Sequence, residues 1–286
     1  MKNKKKQSVV ISVRLDEDSL QAVDLLIEAG LETNRSRAVS HFIARGIQAS
    51  AELLGKARQL ADQVHQLRND MIEAVKSGDV SKVAELISRD ATLVNSSNGK
   101  GETAVLMAAY YRAHEIKELL LRHGAELNVF EAAAVGSTER VKVLIERSPE
   151  LVGSYSADGF TLLGLASHFG NEETAKCLLD HGADVNARSM DGNLDNMAIH
   201  AAIAGNYEHV VRLLLGHGAD VNARCEGAWR KGFSPLHVAA YFGRESIIGV
   251  LLEQGADGSA RNEEGETPYE VAVRRGHSGA AALLRE

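Results

Sequence analysis

The chain has 286 residues, of which 44% are hydrophobic and 25% charged, with 3 prolines and 5% aromatics. This is the composition of an ordinary folded protein, Ala- and Leu-rich and suited to helices. Charge is uneven: residues 1–70 hold 11 Lys/Arg against 9 Asp/Glu, and the remainder holds 21 against 30, so a basic end precedes an acidic body. Two cysteines, Cys177 and Cys225, match no metal spacing and argue against a disulfide framework. No stretch approaches the roughly 18 apolar residues of a membrane span, so membrane insertion is not expected, and a reducing cytoplasm is.

The first fifteen residues carry Lys2, Lys4, Lys5, Lys6 and Arg14 and no acid. Residues 8–15 alternate, with Val9, Ile11, Val13 and Leu15 on one face and Ser8, Val10, Ser12 and Arg14 on the other, which predicts a strand with one buried side. Asp16 opens an acidic first turn of a helix through Leu20, Val23 and Ile27 that stops at Gly30. A second helix begins near Asn34-Arg35-Ser36, with Ala38, Val39, Phe42, Ile43 and Ile47 apolar. A strand and two helices in about 40 residues cannot close a core alone, so this segment is expected to dimerise or dock.

The runs "ISVRLDEDSLQAVDLLIEAGL" and "NRSRAVSHFIARGI" resemble the ribbon-helix-helix family of DNA-binding domains, related to Arc, MetJ and CopG, in which two chains pair their strands. The resemblance implies a homodimer whose outward strand residues, here Val10, Ser12 and Arg14, enter the major groove of duplex DNA. It also implies a phosphate contact at Asn34, Arg35 and Ser36, and a prokaryotic cytoplasm with association to the nucleoid. Val10 offers only apolar contact, and Glu32 in the inter-helix loop is a departure that phosphate would not welcome. The lysine arm would supply non-specific attraction.

From Gly46 to Ser77 the pattern is helical and free of proline. Leu53, Ala57, Leu60, Val64, Leu67 and Met71 step by 4 and 3, the spacing of a short coiled-coil seam. The alternative is one amphipathic helix packed on the first unit of the C-terminal domain. The expected organisation is therefore a basic arm and small dimeric domain over 1–50, a helical linker over 51–77 that merges into the next element, and a repeat domain over 70–286.

That last domain is legible from self-similarity. "HGADVNAR" occurs at 181–188 and 217–224, "QGADGSAR" at 254–261 and the weaker "HGAELN" at 123–128. An apolar helix end precedes each: "KELLLR", "AKCLLD", "VRLLLG" and "GVLLEQ". In one unit, Ser234-Pro235 starts a helix, Ala239 and Ala240 permit close packing, and Gly243 ends it. A second helix over Ile247 to Glu253 comes next and stops before Gly255. "SPLHVAA…GADGSAR" resembles the T-P-L-H-x-A-A…G-A-D-V-N-A pattern of the ankyrin repeat. The resemblance implies a mostly helical solenoid of about six to seven repeats, near 70–98, 99–128, 129–157, 158–190, 191–224, 232–261 and 265–286. Extra residues fall at 189–197 and 225–231, expected to be lengthened loops.

Eleven histidines invite a metal or catalytic reading, but the repeat pattern accounts for His200 and His237 at its turn-helix position and for His123, His181 and His217 before the helix-ending glycine. "GKGET" at 99–103 lacks the residues of a phosphate loop, and no catalytic constellation, cofactor or metal is expected. The two residues before the mid-repeat glycine fall on the concave face of ankyrin-like arrays. They are Tyr110 and Tyr111, His168 and Phe169, Ala204 and Gly205, Tyr241 and Phe242, and Arg274 and Arg275, so five of the 12 Phe and Tyr residues share one stripe. Trp229 sits in a lengthened loop. These residues are the expected protein-binding surface, with packing between repeats as the alternative. The functional expectation is a DNA-binding transcriptional regulator whose array binds a protein. The alternatives are a dimeric ankyrin adaptor without DNA binding, or an antitoxin-like autorepressor; an enzyme is not expected.

Overall fold

The structure, a computed structural model, describes residues 12–99 and 101–285. It divides into two units, residues 1–66 and 67–286. The first contains helices α1 (Glu17–Glu28) and α2 (Arg35–Ala49) and the greater part of α3 (Ala51–Ser77). Asp16 and Asn34 cap α1 and α2 by accepting from the backbone N–H of Ser19 and Arg37. The two helices pack on each other, but Val23 and Ala38 are the only buried residues among those described in this unit. Val13, Leu20, Phe42, Ile43 and Ile47 remain exposed.

The strand expected over 8–15 is corrected where it is visible: Ser12 to Asp16 have no regular secondary structure. The physical reason is that backbone N–H and C=O groups of an extended segment need a neighbouring strand, and a single chain supplies none here. Val10 and the rest of that segment lie outside the described residues. The continuous helix expected from Gly46 is interrupted at Ser50, where α2 ends. The seam residues then part company. Leu53, Leu60 and Val64 are exposed, whereas Met71 is buried and Leu67 packs on the core of the second unit.

The second unit is built from helix pairs. After the last turns of α3 come α4 (Val80–Arg89), α5 (Ala104–Tyr110), α6 (His114–Arg122), α7 (Val129–Val135), α8 (Thr138–Arg147), α9 (Leu162–His168) and α10 (Glu172–Asp180). Beyond them lie α11 (Ala198–Gly205), α12 (Glu208–Gly216), α13 (Pro235–Phe242), α14 (Glu245–Glu253), α15 (Pro268–Arg275) and α16 (Ser278–Leu283). Short 3-10 helices stand at Ala91–Asn95 and Pro149–Gly153. The odd-numbered helices from α5 to α15 stack in one inner row, each on the next, and the even-numbered helices form an outer row behind them.

Composition explains the two rows. The inner helices are short and carry buried alanines such as Ala108, Ala133, Ala166, Ala202 and Ala239, which let neighbouring axes approach closely. Outer helices bury branched chains, including Leu120, Ile145, Leu178, Leu214 and Leu251. Each such side chain contributes about 1.5–3 kcal/mol by leaving water. Every repeat thus needs its neighbour to cover an apolar side, the condition that makes a linear array cooperative.

Polar side chains stitch the repeats together. Asn186 donates to the Gly218 carbonyl at 3.1 Å and accepts from the Asp220 N–H at 2.9 Å; Asn222 accepts from Asp257 in the same way at 2.9 Å. The asparagine of each "GADVNA" run is therefore a bridge to the following unit. His200 and His237 lie buried at the turn-helix junction. The Nε2 of His200 donates to the Ala223 carbonyl at 3.1 Å, and that of His237 to the Glu266 carbonyl at 3.0 Å.

Candidate protein-binding face

The inner helices end in a band of rings. Tyr110 at the end of α5 meets Phe169 edge-on at 5.1 Å between centroids and His168 at 6.4 Å. His168 and Phe169 are themselves perpendicular at 4.9 Å. Partial desolvation of the His168 ring lowers its pKa, and the Arg112 charge adds to this, although the residue keeps an exposed surface. A second group forms on α13, where Tyr241 and Phe242 pack edge-to-face at 5.0 Å and Phe233 joins Tyr241 at 6.1 Å. The expected alternative, packing between repeats, is present in the stripe, since the rings pack on one another, while Tyr110 keeps 43% of its surface exposed. Tyr111 is also exposed, but takes no part in these ring contacts.

Arginines outside the sequence-predicted site cover the second group. The Arg230 guanidinium stands 4.9 Å from the centroids of both Tyr241 and Phe242. Arg275 lies 4.2 Å from Tyr241 and Arg244 lies 5.5 Å from Phe242. Arg230 comes from an insertion and Arg244 from the turn after α13, so no local periodicity points to them, whereas Arg275 ends α15. The signal available is the unusual Arg274-Arg275 pair at the stripe position of the last repeat.

The two lengthened loops fold against each other. The N–H of Gly227 donates to the Leu194 carbonyl at 3.1 Å, and that of Trp229 to the Asn193 carbonyl at 2.9 Å. A methyl group on Gly227 would come within 2.3 Å of the Asn193 backbone, so only glycine permits the approach. Asp191 fixes the first loop by accepting from the N–H groups of Asn193 and Leu194 and from the Ser189 hydroxyl. Those bonds hold its pKa below the usual carboxylate range despite partial burial. Similar backbone bonds join Met190 to Gly159 at 2.7 Å and Glu263 to Lys231 at 3.3 Å. Trp229, 73% exposed, stands on this ladder with Met190, 63% exposed.

The residues expected to touch DNA are placed differently. Ser12 and Arg14 are exposed. Arg35 is committed to a two-pronged ion pair with Asp24, both contacts at 2.7 Å. The Asn34 side chain is occupied as a helix cap, and Ser36 is exposed beside it. Among the described residues no group of His, Cys, Asp and Glu has the arrangement of a metal site. Cys225 is buried and its thiol is pushed up to about 12 by burial, which keeps it from acting as a nucleophile. No helix of the described residues is long and apolar enough to cross a membrane.

Comparison with known proteins agrees with the architecture. Residues 129–225 and again 199–286 match the family described as ankyrin repeats (3 copies). The chain is 25% identical over 243 residues, 79% of its length, to a transient receptor potential cation channel subfamily A member 1 homolog of Caenorhabditis elegans, covering 19% of that protein. It is 29% identical over 149 residues, 48% of its length, to the ankyrin repeat and SAM domain-containing protein 6 of Rattus norvegicus, covering 14% of it. It is 32% identical over 156 residues, 54% of its length, to the E3 ubiquitin-protein ligase KEG of Arabidopsis thaliana, covering 9% of it. The chain thus spans less than a fifth of each of these relatives, and what it shares with them is the array. With stacked helix pairs, asparagine bridges and buried turn-helix histidines matching that family over more than half its length, the chain belongs to the ankyrin-repeat proteins.

Proposed function

We propose that the chain is a non-enzymatic scaffold that binds a protein partner across the inner-row face of its ankyrin array. The band of partly exposed rings from Tyr110 to Phe242, continued by Trp229, carries this reading. Clustered aromatics and arginines are the residue types that dominate binding energy at protein interfaces. Replacing Tyr241 and Phe242 together by alanine tests it. Far-UV circular dichroism should keep its helical signal, because both rings lie at the edge of the core and are only partly buried. Partners captured by the wild type should be weakened at least about tenfold in the variant. An unchanged set of partners at unchanged affinity would move the binding face elsewhere, and a wholesale loss of helicity would make the rings part of the fold.

A second copy of the chain is the partner we infer for the N-terminal unit. Its supporting observation is the apolar hollow of about 320 Å³ lined by Val13, Leu15, Ala22, Val39, Phe42 and Ile43 over a core of only two buried residues. Doubling the array would raise avidity for a multivalent target, which is the adaptor reading. The regulator reading adds duplex DNA through Ser12 and Arg14, with Val10 beside them in sequence. The commitment of Arg35 to Asp24 and of Asn34 to its cap leaves fewer groups for phosphate, so the adaptor is favoured. Solution mass with and without random duplex DNA at low salt separates the outcomes. A dimer indifferent to DNA is expected. A dimer that binds DNA and releases it as salt rises would restore the regulator. A monomer would remove the second copy altogether.

A further inference from the structure

We propose that the partner of this face is an acidic peptide segment that anchors one branched aliphatic side chain between α9 and α11. The inference rests on the protein-binding reading above and gives it a ligand chemistry.

The anchor site is a cleft of about 110 Å³ lined by Tyr110, Phe160, Leu165, His168, Leu194 and Ala201. The small Gly164 and Ala201 open it, and Leu194 from the first lengthened loop closes one side. A cavity of about 150 Å³ admits a benzene ring, so this smaller one suits a leucine, isoleucine or valine side chain rather than an aromatic. Its lining is mostly apolar, and the loop that bounds it is held by the bonds of Asp191 and Gly227 described above.

The charge requirement comes from the arginines. Arg112, Arg230, Arg244 and Arg275 form no ion pair among the described residues, although the sequence beyond residue 70 carries nine more acids than bases. Arg112 stands two residues beyond Tyr110, which lines the cleft, and its charge acts on both His168 and Arg244. Arg244 donates one N–H to the Ala204 carbonyl at 3.1 Å, and its buried Nε has no partner. A guanidinium laid on a ring still presents its planar N–H edge, and carboxylates are the groups that edge fits. A nucleic-acid strand is the poorer occupant. The rings on which bases would stack are already covered by Arg230, Arg244 and Arg275.

The experiment is selection of a displayed library of random dodecapeptides on the full chain, with counter-selection on the Tyr241→Ala, Phe242→Ala variant. Enriched peptides are expected to pair Leu, Ile or Val with nearby Asp or Glu. A synthetic copy of the leading peptide should bind about tenfold more weakly when its aliphatic residue becomes glycine. A comparable loss is expected against Arg112→Glu or Arg275→Glu chains, whose substituted positions are exposed and whose circular dichroism should match the wild type. Enriched peptides that lack acids, or that ignore these charge reversals, would overturn the proposal and leave the protein-binding face standing. No enrichment over the counter-selected variant would overturn both. Tight, arginine-dependent binding of oligo-dT in place of peptides would assign the face to nucleic acid.

Discussion

Acidification from pH 7.5 to 5 is expected to weaken the array well before its carboxylates titrate. His200 is fully buried, and its pKa is lowered from 6.5 to about 4, first by burial. The geometry supplies a second reason. Its Nε2–H donates to Ala223, and its Nδ1 accepts from the Met197 N–H at 3.3 Å, so a second ring proton would point at a donor. The folded state therefore resists a proton that the unfolded chain takes up near pH 6.5. Stability is full above that value, falls as pH drops toward 4, and then levels. At 1.36 kcal/mol per pH unit the whole window is worth about 3 kcal/mol. His237 contributes in the same direction, since burial also lowers its pKa and its Nδ1 faces the Ser234 N–H at 3.2 Å. Urea midpoints followed by circular dichroism at pH 7.5 and 5 measure the effect. In a His200→Gln chain, weaker at neutral pH, the midpoint should depend less on pH. Equal pH sensitivity in the variant would place the titrating group elsewhere.

Gly159→Ala is expected to cost about 3 kcal/mol or more. Its φ is +83°, where an L residue is strained by about 1–2 kcal/mol. An added methyl would also stand 2.4 Å from the Met190 carbonyl oxygen, a backbone atom. Relieving that clash breaks the bond from the Met190 N–H to the Gly159 carbonyl, worth about 1 kcal/mol. Gly265 is the control, because its φ of +79° matches while nothing stands within 4 Å of the added methyl. Gly265→Ala should show the strain alone, about 1–2 kcal/mol. Thermal unfolding midpoints of the two variants compare the effects directly; matching midpoints would show that the contact between successive turns carries no energy.

The architecture was legible in the sequence because each repeat advertises its own necessities. The glycine that ends a helix and the histidine at the turn-helix junction recur at fixed offsets, so Gly218 and His237 stand out from the sequence alone, whereas the bridge made by Asn222 needed the structure. The candidate site was legible in part. Tyr110, His168 and Phe169 do converge, although Tyr110 stands two repeats away from the other two. Arg230 and Arg244 were not readable, since their partnership with Tyr241 and Phe242 joins side chains from separate turns. The docking of the two lengthened loops was invisible as well. It runs through backbone atoms and one permitted approach at Gly227, and neither leaves a periodic trace. At the N-terminus, alternation in Ser12 to Leu15 described a face without a neighbour to pair with, and the chain alone forms no strand there.

The ladder of bonded loop tips bears on how fast and how economically this face can engage. Loop segments ordinarily sample many conformations, and a ligand must then bear the entropy of freezing them, about 0.5–1.5 kcal/mol for each mobile side chain held at an interface. Here Met190, Asn193, Leu194 and Trp229 belong to segments whose amides are already bonded to the neighbouring loop. Most of that ordering is completed during folding, before any ligand arrives. Association therefore needs little rearrangement of the backbone, and affinity can reside in few contacts. The same rigidity narrows the range of shapes accepted, so the loops trade breadth of recognition for speed of capture.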